Sequence, residues 1–590
     1  MRSTCLFILV VGVTSLCHAQ SPPAKSKANA KAEAARVAEQ RRVEARAVLI
    51  SLASDARSFR DQELRARSVA RIAAALWEGE PDRARTLFRQ AWEAAVAVAQ
   101  EDTQRANLRV EILTLIAPRD RRLAEELLQK LQAHQPEKKV ENSHGDRWGL
   151  PDELQQRLNL AARLLEAGDT QRALQFADPI LNTVNISTLD FLTSLRAKDP
   201  AAADQRYASL LTNPSGVADA NTISLLSSYL FTPRRYVTFN SSGPADGAWP
   251  PFPIPPPNVS PQLRLAFFQT AVGVLLRTSA SPEQDQNTVE NYLVMKLLLP
   301  VFEQYAPREL TEAMRGQFSA LDSQVSDAIR TADSERAQQE LGIEKSSVDR
   351  EQPLLKDLEH AKTSEDRDHI YFRLALIALS KDDAKAHEYA GRIEDGDFRK
   401  QAEAWVDWGF ALQAIEKKKA AAAVELVHAA ELNHIQKVWI LTQAAKLLAK
   451  TDRDQALLLL DEANAEARRI DGGDLDRPRA FLAIANAVNV VVRARVWEAI
   501  FDAVKAANST ESFTGEDDVL PLTASTRGHI LNRRDAFSDF ILEGIFREVA
   551  NNDFDRALQL ARGFRAEAPR ANATLAICQA VLSGTRSTRE

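Results

Sequence analysis

The stretch ALWEGEPDRARTLFRQAW, residues 75–92, decides how the rest of the chain is read. An apolar run stops at a turn of charged and small residues, and a second amphipathic run follows. Gly79 in a left-handed conformation would close the first helix near Glu78. Pro81 suits the first turn of the next helix, where a missing N–H costs nothing. Ala84, Phe88 and Ala91 then fall on one stripe of that second helix. A small residue there lets two backbones approach, and the aromatic fills the space one turn later. The stretch predicts a helical hairpin.

The same spacing returns along the chain. It is found at Ala456, Leu460 and Ala463, and at Ala557, Ala561 and Phe564, the latter followed by Pro569. Further copies are Ala173, Ala177 and Ile180, and Ala124, Leu128 and Leu131. Weaker ones are Ala386, Ala390 and Ile393; Ala422, Leu426 and Ala429; and Ala499 with Ala503, just after Trp497. Recurrence at roughly 34–43 residues is the signature of stacked helix pairs. In its second helices the chain resembles the tetratricopeptide-repeat family, with Ala557, Ala561, Phe564 and Pro569 nearest the family pattern. The first helices, such as ARIAAALW and QAAKLLAK, depart from it, since the family's Trp, Gly and Tyr positions are not filled. The resemblance implies an all-α fold, an α-solenoid of antiparallel TPR-like hairpins, of the kind found in secreted bacterial repeat proteins of uncharacterised function.

The rest of the sequence divides around that frame. Residues 1–19 read as a signal peptide: Arg2, the apolar run CLFILVVGVTSL, and a cleavage site ending at Ala19. The expectation is an exported protein, periplasmic or extracellular. Lipid anchoring through Cys17 is the weaker alternative, because Leu16 stands where a small residue belongs. Residues 20–54 form a charged, Ala-rich lead becoming a helix, and 55–230 an N-terminal helical-repeat array. A β-prone and Pro-rich insertion at 231–262 contains RYVTF and, between 244 and 261, eight of the 25 prolines. That density excludes helix and favours extended backbone. Central apolar helices at 263–330, a polar linker at 331–353 and a C-terminal array at 354–590 complete the division. TISLLSSYLF, just before the insertion, belongs with the thickest core.

Composition agrees with helices: Gly is 21 of 590, about half of the usual ~7%. A net charge of −6 argues against a nucleic-acid binder that relies on a basic surface. The most apolar later run, LRLAFFQTAVGVLLR, is shorter than the ~18 residues a membrane span needs. Beyond Cys5 and Cys17 the only cysteine is Cys578, so a mature chain could form no internal disulfide. Cys578 sits among apolar residues and reads as a small hydrophobe.

No motif carries chemistry. A nucleophile elbow, a phosphate loop, C-x-x-C and H-E-x-x-H are all missing. HEYAG at His387 has Gly391 where a second histidine would be needed. His428 and His434 are six residues apart, off a shared helix face. Asp471, Asp474 and Asp476 lack the alternation of a calcium loop, with Leu482 in place of its bidentate Glu. Lys417, Lys418 and Lys419 read as a solvated corner. Five N-x-S/T sequons begin at Asn185, Asn240, Asn258, Asn508 and Asn572 and matter only in a glycosylating source. The reading therefore assigns no catalytic, cofactor or metal residue. It expects a non-catalytic exported protein that holds an unidentified protein or peptide in its groove, lined around Trp77 and Trp439. The alternatives are a cell-envelope polymer hydrolase or lyase with acid and base groups near Tyr236, Trp249 and Tyr292, or a passive envelope spacer.

Overall fold

The computed structural model describes residues 24–98, 106–133, 149–213, 219–240, 243–248, 256–277, 284–326, 329–330, 351–525 and 530–583. The leader, Trp249 and linker residues 331–350 lie outside them. The protein is 75% helical, with 25 α-helices among the described residues and two small hairpins of strands. None of these helices is long and apolar enough to cross a membrane.

Most helices come in pairs joined by short turns. Gln62–Leu76 packs on Pro81–Val98, Asp152–Glu166 on Thr170–Ala177, His434–Leu448 on Arg453–Arg469, and Leu542–Ala550 on Phe554–Arg562. First helices also touch the first helices of neighbouring pairs: Gln62–Leu76 meets Ala106–Ile116, and His434–Leu448 meets both Gly396–Glu416 and Asp476–Val491.

One local rule generates these pairs. An N-cap residue ends each turn, its carbonyl accepts the first helical hydrogen bond, and the donor four residues on is an alanine of zero exposure. The linked residues are Glu80 and Ala84, Asp120 and Ala124, Asp169 and Ala173, Asp199 and Ala203, Asp452 and Ala456, and Asp553 and Ala557. Asp169, Asp199, Asp452 and Asp553 also accept, through their carboxylates, from a backbone N–H three residues on, the preferred way to satisfy an orphan donor. The cap thus fixes the helix start, and the start fixes which alanine meets the partner helix.

The rule corrects two registers. Where the sequence pattern points to Ala422, Leu426 and Ala429, the buried residues are Ala423 and Val427, with Lys419 as cap. In the helix Val496–Ala507 the buried stripe is Val496, Ile500 and Ala503, and Ala499 is only partly buried. The 3-10 turn Arg493–Arg495 precedes that helix. Gly79 is not left-handed: the turn closes by Glu80 N–H donating to Leu76 O at 2.9 Å. A Cβ at Gly79 would lie 2.8 Å from Arg46 Nε, near the end of a flexible side chain that can move aside. Pro569 does not close a hairpin either; it stands, buried, in the first turn of Glu567–Ser583. Left-handed backbone occurs instead at Gly168, Asp382 and Lys418, each just past a helix end.

The helix just before the insertion is enclosed most completely. All twelve residues of Ala220–Phe231 are buried, serines included. Its polar side chains grip the strand Tyr236–Asn240. Asn221 accepts from Phe239 N–H at 2.7 Å and donates to Phe239 O at 2.8 Å, and Ser224 donates to Val237 O at 2.7 Å. This strand pairs antiparallel with Gly243–Ala248, whose Pro244 lies opposite Phe239 at a register shift. Pro261 opens the helix Pro261–Leu275, capped by Ser260.

Two further features have no counterpart in the sequence reading. The strands Val519–Ser525 and Ile530–Ala536 form a hairpin between helices Val496–Ala507 and Leu542–Ala550. The first and last described helices also meet: Ala24–Ala56 packs along Glu567–Ser583, which also touches Gln62–Leu76. The N-terminal helix thereby occupies the second-helix place beside the last helix of the chain. Ala45, Leu49, Leu52, Ala53 and Ala56 supply its buried stripe.

Candidate functional site

The first helices Gly396–Glu416, His434–Leu448 and Asp476–Val491 are neighbours. In His434–Leu448 and Asp476–Val491 mostly apolar sequences are interrupted by a few polar side chains. Those side chains converge on one object, the segment 519–540. Gln401 Oε1 accepts from Ser525 N–H at 2.8 Å, and Trp408 Nε1 donates to Asp535 at 2.8 Å. Gln443 donates to Asp539 Oδ2 at 2.9 Å while Lys446 pairs with its Oδ1. Arg479 donates to Val519 O at 2.6 Å, and Asn486 to Asp539 O at 3.0 Å.

Aromatic contacts anchor the same segment. Phe537 lies 4.3 Å from the Trp439 ring and 5.9 Å from Trp408, centroid to centroid. Phe540 is fully buried under the Arg479 guanidinium, 5.0 Å away. The strand Val519–Ser525 places Leu520 in the main core and Ala524 in a second, smaller core around Phe372 and Trp405. Beside Asp539 a cleft of about 440 Å³ stays open, bounded by Lys446, Asn486, Val490, Ile541 and Arg547.

Trp439, around which the groove was expected, is only 6% exposed and packs against Phe537 of the chain's own segment. Trp77 is partly buried against Phe88, with Arg85 5.1 Å over its ring, and is a packing residue of the first hairpin. Gln401, Trp408, Gln443, Lys446, Arg479 and Asn486 escaped the sequence reading. In the sequence their only trace is the polar residues scattered through partly apolar helices such as HIQKVWILTQAAKLL; that the charged Arg479 is 4% exposed emerges only in the fold.

The remaining candidates separate. The Tyr236 hydroxyl donates to Asp190 at 2.7 Å, and the Tyr292 hydroxyl to Asp322 at 2.8 Å. Burial raises the Asp190 carboxyl above its usual range, opposed by the Tyr236 bond and the Arg234 charge. Burial, then the Asp322 bond, pushes the Tyr292 phenol up to about 12. Each carboxylate is thus occupied by a phenol. His387, His428 and His434 do not gather; they pair with Asp407, Glu462 and Glu466 at 2.7, 2.8 and 2.7 Å. Among the described residues no three His, Cys, Asp or Glu side chains form a metal-holding group. Asp471 and Asp474 accept from Gly473 and Asp476 N–H at 2.8 and 2.9 Å, which makes them turn residues. Lys417 pairs with Asp382 at 2.6 Å. Cys578 is fully buried, and burial pushes its thiol up to about 12.

Comparisons with protein-family models, with curated proteins and with solved structures return no match.

Proposed function

We propose that the chain is a TPR-like α-solenoid, exported and freed of its leader near Ala19, that binds an extended protein or peptide segment without catalysis. Pairs of short helices cannot bury their apolar faces alone, and stacking them generates a long surface suited to such ligands. The observation that carries the reading is the face of Gln401, Trp408, Gln443, Lys446, Arg479 and Asn486. Side chains from three consecutive first helices there reach backbone groups, two carboxylates and two aromatic rings of one irregular segment. Helical-repeat surfaces hold a polypeptide through these same kinds of contact, side chains satisfying its backbone and pockets taking its rings. The open cleft continues the face past Asp539, with Val490 57% exposed at its rim.

The test is a photo-crosslinking residue at Val490 in the mature protein within its native compartment. The expected result is a reproducible crosslink to one protein species, lost when Lys446→Glu and Asn486→Ala are added. Crosslinks to nothing, or an unselective smear that the added substitutions leave unchanged, reject the reading. Export is tested separately: the N-terminal residue of the purified mature chain is expected to be Gln20.

A further inference from the structure

We infer that the face formed by Trp408, Trp439, Gln443, Lys446 and Arg479 is a recognition site for a partner segment with two aromatic side chains flanking an acid, and that Phe537-Ser538-Asp539-Phe540 is its resident stand-in. The inference deepens the binding role proposed above and rests on it.

Three observations lead there. First, the segment is an interruption: residues 508–541 part the helix Val496–Ala507 from the next pair, whereas in the same array only residues 430–433 and 470–475 stand between Ala420–Ala429 and His434–Leu448 and between Arg453–Arg469 and Asp476–Val491. Second, its contacts are those of a ligand with an address. Two rings are seated, Phe537 on Trp439 and Phe540 under Arg479, and the carboxylate between them is held by a cation and an amide. Third, the fit is incomplete. Trp439 Nε1 and Arg479 Nε are buried on residues 6% and 4% exposed, and neither has a hydrogen-bond partner among the described residues. Buried donors without acceptors are costly and rare. Two donors on residues that contact the resident segment are therefore unmet. A partner segment that offers acceptors there gains contacts the resident does not make, which gives exchange a driving force.

The occupant is thus a segment of aromatic–x–acid–aromatic chemistry. A basic segment would meet Lys446 and Arg479, and an aliphatic one would leave them without a counter-charge.

The experiment uses a labelled peptide of residues 531–542, LNRRDAFSDFIL, and the mature chain. In the double variant F537A/D539N the resident grip is weakened, and the peptide is expected to bind at least tenfold more tightly than to wild type. The peptide with both phenylalanines replaced by alanine is expected to lose that binding. Should the double variant lose its helical circular dichroism, Lys446→Glu alone decides. It is expected to shift preference at least tenfold towards a peptide carrying Lys in place of the acid corresponding to Asp539. Equal binding to a folded double variant and to wild type overturns the inference, as does equal binding of the two peptides by K446E. A crosslink at Val490 without peptide binding defeats this inference alone; peptide binding without any native crosslink defeats the broader reading instead.

Discussion

The backbone N–H of Arg60 donates to Oε2 of Glu567 at 3.1 Å across 507 positions of sequence. It marks the place where the first and last described helices become one packing unit. Leu49 and Ala45 are fully buried in the helix Ala24–Ala56, which lies along Glu567–Ser583. Arg71, on the next helix, pairs with Glu516 from the opposite end of the sequence. The last helix is covered by the first.

Leu49→Ala should accordingly cost about 2–5 kcal/mol, the range for removing a fully buried leucine side chain. The loss should be felt locally at the far end of the sequence. In hydrogen exchange, amides of Glu567–Ser583 should lose protection, while those of Ser364–Ser380, far from this junction in the pattern of helix contacts, keep theirs. Equal loosening of both would mean that the ends do not form a unit of their own.

The capped alanines make a second prediction. Ala456 has zero exposure and Leu458, two residues on, is 62% exposed. Ala456→Leu forces a larger side chain between packed helices and should destabilise by about 1–3 kcal/mol. Leu458→Ala should change stability by no more than about 0.5 kcal/mol. Asp452→Ala removes the cap that sets the register and should cost about 1 kcal/mol. Chemical denaturation of the three variants checks the order. A penalty at Leu458 as large as that at Ala456 would show the helix phase to be wrong.

That phase shows how far the sequence could be read. The helical class, the hairpin at 75–92 and the burial of Ala84, Ala124, Ala173, Ala456 and Ala557 follow from spacing alone, because a stripe must repeat with the helical turn. The slip from Ala423 to Ala422 arose in a run of four alanines, where the only discriminator is the cap, and the cap there is Lys419 rather than an acid. Ala203 was passed over although Asp199 announces it four residues earlier. The hairpin Val519–Ala536 was invisible for a different reason: VLPLTAS carries Pro521, and ILNRRDA lacks an alternating apolar face. The face around Lys446 could not be assembled from sequence, since its members come from three separate helices and their target lies 93–127 residues from the earlier two. Contact between Ala24–Ala56 and Glu567–Ser583 is the extreme case of the same limit.

The turn at Lys418 offers a stabilising change. Its φ of 57° lies in the left-handed region, which a residue with a Cβ adopts at a cost. Lys419 N–H donates to Ala414 O at 2.8 Å, so the turn requires that conformation. Lys418→Gly relieves the strain but adds freedom to the unfolded chain, leaving a net gain of roughly 0.5–1 kcal/mol. The ion pair Lys417–Asp382 is untouched, so a rise in thermal midpoint would report the backbone effect. A fall would mean that the Lys418 side chain makes the larger contribution.

His387 makes stability depend on pH. Its Nε2 lies 2.7 Å from Asp407 Oδ1 and its ring stacks on Phe410, 5.1 Å between centroids. The hydrogen bond to Asp407 raises its pKa against the opposing effect of burial, and the charges of Asp407 and Glu403 add to the rise. A raised folded value means that folding favours the protonated ring. The contribution is therefore fully present below the ordinary histidine value of about 6.5 and is lost as pH climbs through the higher folded value. Because the ring is nearly half exposed, solvent screens the pair and the effect should be small. Wild type and His387→Gln should be compared by denaturant midpoint at intervals from pH 5 to 9. The wild-type advantage is expected to be greatest at the acid end and to shrink across the window above pH 6.5. An advantage that grew with pH would mean that His387 is held neutral, with Asp407 accepting from an uncharged ring.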